Sequence, residues 1–320
     1  MTTIDVLTAA YLGVPDPKRI KPHLSIALSN RSYLPLVDDL QSDWVAHVAA
    51  PAFALYRRRR GGARIDSFCS IGTGSGLDAL AAIELLGADR VGLTDLHEDV
   101  VATAATNVAS NHLSSHPVTI EYGHGDLLAP LRGFNSGYAL IYENLPNVPL
   151  PEGAGIGSGR KSSTHVPARA ERLPELVKRQ MLDLHYLALV QANDFLLPGG
   201  AVLSTLGARV PLEVFVSLGK LAGYSPSLLT YTWKVQAVPD EVIPDHAQKQ
   251  KEGFGPFHFY LAETLEETFG SVDPAKSGTE AMEIERFLRA ARLDAVAANE
   301  ALRRGARIGH TVAVLQSELR

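Results

Sequence analysis

The chain has 320 residues, 46% of them hydrophobic and 20% charged, enough apolar content to bury a large core as one α/β domain with additions or as two small ones. A formal charge of −5 leaves no broad basic field to hold phosphate backbones, which argues against nucleic acid and for a small-molecule or protein substrate. The single cysteine, Cys69, excludes a disulfide framework, the N-terminus lacks a basic-then-apolar leader, and no apolar run reaches ~18 residues, so a soluble cytoplasmic protein off the membrane is expected.

From Asp5 to Tyr56 apolar residues recur at threes and fours, broken by Pro15, Pro17, Pro22 and Pro35. The pattern predicts several short helices, a helical cap over residues 1–62 lying as a lid across the carboxyl ends of the strands that follow. Arg57 to Arg60 before Gly61-Gly62 reads as a solvated helix end, where cations complement the macrodipole and glycine stops the turn. Residues 63–320 then alternate strands with helices and show no repeat. They predict one α/β domain, a Rossmann-like, seven-stranded and mostly parallel sheet.

The informative stretch is Ser67 to Asp95. A buried strand over Ile65–Ile71 enters Gly72-Thr73-Gly74-Ser75-Gly76, a helix with Leu77, Leu80 and Ile83 leaves it, and a strand over Arg90–Thr94 delivers Asp95 nineteen positions after Gly76. Glycines let the backbone pass close to a ligand, the helix N-terminus offers free N–H groups, and an acid at the next strand tip can accept both ribose hydroxyls. Leu77 follows the G-x-G-x-G turn, so no third glycine stands where a dinucleotide fingerprint needs one. S-adenosylmethionine therefore fits better than NAD, with Gly72, Thr73, Gly74, Gly76, Asp95 and Leu96 as contacts.

A helix over Asp99–Asn111 and a strand over Val118–Tyr122 lead to Gly125-Asp126-Leu127-Leu128, where Asp126 can accept from an adenine amino group while Leu127 packs on the ring. The next strand, Tyr138–Tyr142, breaks into Glu143-Asn144-Leu145-Pro146-Asn147-Val148-Pro149, a loop stiffened by its prolines opposite the glycine turn. Asn144 would face the reactive methyl group. Pro151 to Pro167, with Arg160, Lys161 and His165, reads as a glycine-rich lid, Arg160 and His165 exposed. A long helix over Glu171–Leu197 stops at Pro198-Gly199-Gly200, a strand covers Ala201–Leu206, a helix runs from Pro211 to Gly223, and Leu228–Val235 alternates as a strand. Beyond a charged, proline-bearing insertion over Pro239–Gly255 come a strand at Phe257–Leu261, an amphipathic helix over Glu280–Arg304 and a last strand at His310–Leu315.

These pieces carry a family resemblance. Phe68 to Gly76 resembles motif I of class I S-adenosylmethionine-dependent methyltransferases, Thr94-Asp95 their ribose motif, Gly125-Asp126-Leu127 their adenine motif and Glu143-Asn144-Leu145-Pro146 a variant of their Asn-Pro-Pro-Tyr loop. Ser70 stands where motif I usually has an acid, so a carboxylate serving the methionyl end has to come from elsewhere. Tyr231 to Ala237, His258-Phe259-Tyr260 and Arg307-Ile308-Gly309-His310 resemble the methyltransferase region of methionine S-methyltransferases, in the short bacterial form, which make S-methylmethionine on the way to dimethylsulfoniopropionate.

The resemblance implies transfer of a methyl group from S-adenosylmethionine to the thioether of L-methionine, releasing S-adenosylhomocysteine, without a metal. A thioether has a lone pair and no proton to lose, so the transfer needs no general base; Tyr142, Glu143 and Asn144 are the candidate catalytic groups. Substrate contacts fall to Glu143, Asn144, Trp233, His258 and Tyr260, with Arg31, Arg160 or His258 for the substrate carboxylate. Two alternatives stay open. One is N-methylation of a protein glutamine amide or a small amine, with Asn144 accepting the N–H groups. The other is cofactor binding without catalysis, which Ser70 favours and the intact glycines and acids oppose. A homodimer is the default assembly.

Overall fold

The computed structural model describes residues 2–134, 137–150 and 163–319. It divides into two compact units, one of Met1–Asn144, Leu187–Ser204 and Ser317–Arg320, the other of Leu145–Tyr186 and Thr205–Gln316. Most of the expected lid, residues 151–162 with Arg160, lies outside the described residues.

The first unit opens with strands where short helices were expected. β1 (Thr2–Leu7) pairs antiparallel with β2 (His23–Leu28), and Leu24, Ile26 and Leu28 are buried at every second position. Alternation with β-branched Thr, Ile and Val suits a half-buried strand and overrides the helical spacing. Helices come later in this segment: Thr8–Leu12, ended by Gly13 at φ 68, and a π turn over Val45–Ala49 that leads into Ala50–Arg59 and buries Phe53 and Tyr56.

Side chains complete the edge of β2. On the helix Glu98–Asn111, Asn107 donates to the Ala27 carbonyl at 2.8 Å and accepts from its N–H at 2.9 Å, and Asn111 does both with Ser25 at 3.0 Å. Each amide reproduces the paired bonds of a neighbouring strand and satisfies backbone groups that burial would otherwise orphan. Asn107 also donates to the Ser75 carbonyl at 2.9 Å, fastening the strand pair to the glycine turn.

The chain continues through β3 (Ser67–Ile71), β4 (Arg90–Asp95), β5 (Thr119–His124), β6 (Tyr138–Glu143), the short pair β7 (Val148–Pro149) and β8 (His165–Val166), then β9 (Leu196–Ala208), β10 (Tyr224–Val235), β11 (Tyr260–Leu261) and β12 (Ile308–Leu319). The main sheet has the order β10-β12-β9-β6-β3-β4-β5 with β11 on β12, so it holds eight strands rather than seven, β11 being the addition. β3 runs parallel to β4 and β6, β4 to β5, and β6 to β9, which makes the fold mixed α/β on a mostly parallel sheet. All five residues of β3 are buried, as in a strand covered on both faces, with Phe68, Cys69 and Ile71 apolar. After stepping outward through β4 and β5 the chain returns to the other side of β3 as β6. Open α/β sheets bind ligands at the carboxyl ends of the strands where the order reverses in this way.

Several expected elements are divided or extended. The helix expected over Glu171–Leu197 is two, Glu175–Arg179 and Asp183–Ala192, separated by Met181 in a left-handed conformation at φ 55. β9 begins at Leu196 and passes through Pro198-Gly199-Gly200, opposite a register irregularity between Tyr138 and Leu140 of β6. In the second unit the insertion is a helix, Pro239–Lys251, with proline in its first turn, Asp240 and Glu241 at its start and Lys249 and Lys251 at its end, matching the macrodipole. The helix expected over Glu280–Arg304 is Ser277–Leu288 and Ala295–Arg303; Leu293 between them bridges Phe259, and Asp294 caps the second by accepting from Ala297 N–H at 2.8 Å. The strand expected at Phe257–Leu261 is confined to its last two residues. No helix among the described residues is long and apolar enough to cross a membrane.

Candidate functional site

The site in the first unit is built from backbone. Gly72, Gly74 and Gly76 have φ of 68, 53 and 82, values that L side chains rarely adopt. Two of them are glycine for different reasons. A Cβ on Gly76 would come within 3.1 Å of the Ala104 carbonyl, so this glycine lets the turn pack on the helix Glu98–Asn111; a Cβ on Gly74 would meet nothing within 4 Å, so this one opens on free space. Register places Ile71 beside Glu143, which brings the glycine turn and Asn144 to adjacent strand tips.

Backbone bonds join the predicted contacts. Thr73 N–H donates to the Thr94 carbonyl at 3.0 Å, and Gly125 N–H to the Asp95 carbonyl at 2.8 Å. The Asp95 carboxylate accepts from His97 N–H at 3.1 Å and Gly74 N–H at 3.4 Å, and burial raises its pKa. Each oxygen keeps a further lone pair, enough for two ribose hydroxyls. Asp126 accepts from Gln191 Nε2 at 3.1 Å, while Gln191 Oε1 accepts from Leu128 N–H at 3.0 Å, so one glutamine holds both the acid and the turn. Leu127 is buried with φ 48, a strained conformation for a non-glycine residue and one that clusters at ligand sites; Leu96 is 50% exposed.

One buried acid beside the turn escaped sequence reasoning. Asp78, in the first turn after the glycines, is buried and accepts from Ser70 Oγ, from Thr73 Oγ1 at 3.4 Å and from Ala79 N–H at 2.7 Å. Burial pushes its pKa up to about 6, and these bonds pull the other way. A buried acid thus stands eight residues on from Ser70, in the helix, and accepts from that serine. An acid in the first helical turn was the available signal. Burial, and then the charges of Asp43 and Asp78, drive the pKa of Tyr11 far above its usual value; its hydroxyl donates to Asp43 at 2.7 Å. Tyr11 lines a cavity of about 520 Å³ together with Gln41, His47, Ala50 and Pro51.

The strand-six candidates separate. Tyr142 is packed with its ring edge-on to Phe53 at 5.1 Å and stacked on Phe68 at 6.4 Å, which makes it part of the core between sheet and helix rather than a group offered to a ligand. Glu143 is 0% exposed and Asn144 half-buried at the strand tip.

Trp233, His258 and Tyr260 belong to the second unit. Tyr260 pairs with Gly309, and the Trp233 ring lies 3.5 Å from where a Gly309 Cβ would stand, so the two aromatics flank one glycine. Burial first, then Glu285, raises the Tyr260 hydroxyl to about 12. His258 is buried and takes a bond at 2.8 Å from Arg292 Nη1 on its Nε2; burial and that cation lower its pKa to about 4. A neutral imidazole already accepting from arginine does not serve a substrate carboxylate. Arg31 is committed too, to Asp99 at 2.7 Å. His165, expected exposed, is buried, with Asp245 at 3.0 Å and Glu241 at 3.7 Å. Among the described residues no group of three or more His, Cys, Asp or Glu is placed to share a metal ion.

No protein-family model and no curated protein matches the chain. Among solved structures it is similar to a methyltransferase from Pyrococcus furiosus, with 16% identity, 65% of this chain and 82% of that one covered, and a TM-score of 0.39. It is also similar to the cyclopropane synthase MmaA2 from Mycobacterium tuberculosis, with 15% identity, 86% of each chain covered and a TM-score of 0.39. For Precorrin-6y C5,15-methyltransferase from Geobacter metallireducens the identity is 9%, the coverage 92% of this chain and 94% of that one, and the TM-score 0.40.

Proposed function

We propose that this chain is an S-adenosylmethionine-dependent methyltransferase whose acceptor is the thioether sulfur of L-methionine, giving S-methylmethionine and S-adenosylhomocysteine as a step toward dimethylsulfoniopropionate. The observation that carries the cofactor is the reversal between β3 and β6, where left-handed glycines, the Asp95 carboxylate and Asn144 stand at adjacent strand tips. The acceptor rests on the likeness of Tyr231–Ala237, His258–Tyr260 and Arg307–His310 to methionine S-methyltransferases.

The bound cofactor supplies an electrophilic methyl group on a sulfonium centre. Around it Gly74 leaves room, Asp95 accepts from the ribose, and Asp126 and Leu127 hold the adenine. Asp78, buried next to Ser70 and Thr73, meets the ammonium of the methionyl end, the role an acid at position 70 would have filled. The acceptor sulfur carries a lone pair and no proton, so no residue has to act as a base, and positioning at ~3–3.5 Å with water excluded does the work. Asn144, held by a loop with Pro146 and Pro149, is assigned to orienting the reacting groups. Tyr142 is assigned to the core.

Mass spectrometry of the protein incubated with S-adenosylmethionine and L-methionine tests the assignment, with S-methylmethionine expected. Turnover of a glutaminyl peptide or an amine instead of methionine would replace the acceptor by a nitrogen and keep the cofactor. Cofactor binding with no transfer to any thioether, thiol or amine would remove catalysis altogether.

A further inference from the structure

Arg209 is buried in the second unit and, among the described residues, has no acidic partner. Its Nε and Nη2 donate to Gln236 Oε1 at 3.1 and 2.7 Å, and Nη2 also to His310 Nε2 at 3.1 Å. Because a guanidinium only donates, His310 Nε2 accepts and its Nδ1–H donates to the Thr311 carbonyl at 2.9 Å, which leaves the imidazole neutral. Gln236 is held in turn, its Nε2 donating to the Ala237 carbonyl at 2.8 Å. Gly207 makes room for the guanidinium: a Cβ there would lie 2.3 Å from Arg209 Nη1. Burial alone pulls the arginine's pKa down, to about 9, so it is still a cation at neutral pH.

Beside it stands a second unfinished group. His246 is 0% exposed, its Nδ1–H donates to the Val242 carbonyl at 2.8 Å, and its Nε2 lone pair has no partner. Arg209 lies over the face of Phe259 at 6.0 Å, and the His246 ring meets the same phenylalanine edge-on at 5.6 Å, which puts the two groups around one aromatic ring. A buried cation lacking a counter-ion and a buried acceptor lacking a donor are each costly, and an apolar side chain of like volume would fill either place at less cost. The two deficits are complementary to a zwitterion.

From this geometry we propose that Arg209 and His246 receive an α-amino acid head group, the carboxylate on the guanidinium and an ammonium N–H on His246 Nε2, with Gln236 and His310 fixing the arginine. That the amino acid is methionine rests on the function proposed above; the head-group site does not.

Calorimetry on the full chain with S-adenosylhomocysteine present, titrating L-methionine, L-methioninamide and 3-methylthiopropionate, removes one end of the head group at a time. Binding at least tenfold weaker is expected for either truncated ligand. Arg209→Met should make methionine and methioninamide bind alike, and His246→Phe should do so for methionine and 3-methylthiopropionate. Equal binding of methionine and methioninamide by the unsubstituted protein overturns the proposal without any variant, as does a folded Arg209→Met protein that keeps the preference, or failure to bind any common amino acid. The two readings fail separately. Arg209-dependent binding of other α-amino acids, with no S-methylmethionine formed, keeps the head-group site and removes methionine as acceptor. Methylation of methioninamide as fast as methionine removes the site and keeps the acceptor.

Discussion

The two units hold their buried charge in different ways. Around the glycine turn the groups are carboxylates, and buried Asp78 and half-buried Asp95 are satisfied by backbone N–H groups and hydroxyls from residues at most 21 positions away. In the second unit the buried groups are basic, and Arg209 and His258 are tied to side chains 27 to 101 positions away. A site made by the backbone is written in local spacing. A site made by distant side chains comes into view only once the chain is folded.

Substitution at the turn should have the largest effect. Gly74→Val places a branched side chain at φ 53 in the space left for a ligand, and cofactor affinity by calorimetry should fall on the order of a hundredfold or more. Gly61, with φ 70 and nothing near its missing Cβ, is the control: Gly61→Ala should cost ~1–2 kcal/mol of stability and leave cofactor affinity unchanged. Equal affinity losses at both positions would mean that Gly74 acts through the fold. Next comes Asp95→Ala, which removes charge-assisted bonds worth ~1.5–3 kcal/mol, a loss of roughly ten- to a hundredfold in cofactor affinity. Unchanged affinity would refute the ribose role.

Legibility followed the same division. The glycine turn, Asp95, the Gly125–Leu127 turn and the Asn144 loop could be located because each lies at the end of a strand with punctuation beside it, and β3 to β6 and β9 all stand where strands were predicted. Asp78 was missed because an acid was expected on the strand, while here a serine on the strand donates to an acid on the helix. The opening strands were missed because apolar residues such as Leu7 and Tyr11 also stand at helical spacing, and what stabilises β2, Asn107 and Asn111, lies some eighty residues away. The breaks at Met181 and Leu293 carry no glycine or proline; one rests on a left-handed methionine and the other on a bridge to Phe259. The Arg209 cluster joins positions 207, 236, 246 and 310, which no spacing rule connects.

The smallest effects are in pH dependence, and there the two regions should oppose each other. Asp78 titrates near 3.8 when unfolded and about 6 when folded, so the fold favours its protonated form: this contribution is complete below about pH 4 and is lost as pH rises to about 6. His258 titrates near 6.5 unfolded and about 4 folded, so the fold favours its neutral form: stability is complete above about pH 6.5 and is lost as pH falls toward 4. Each slope is worth on the order of 1–3 kcal/mol across nearly the same window, and in the unsubstituted protein they offset. Urea unfolding at pH 4.5 and 6.5 separates them. Asp78→Asn should leave a protein that gains stability toward pH 6.5 relative to the parent, and His258→Phe one that loses it, with the double variant between the two. Parallel pH profiles for the two single variants would show that these groups do not titrate in opposite directions, and the contrast between a carboxylate site held by backbone and a basic site held by side chains would then be one of geometry alone.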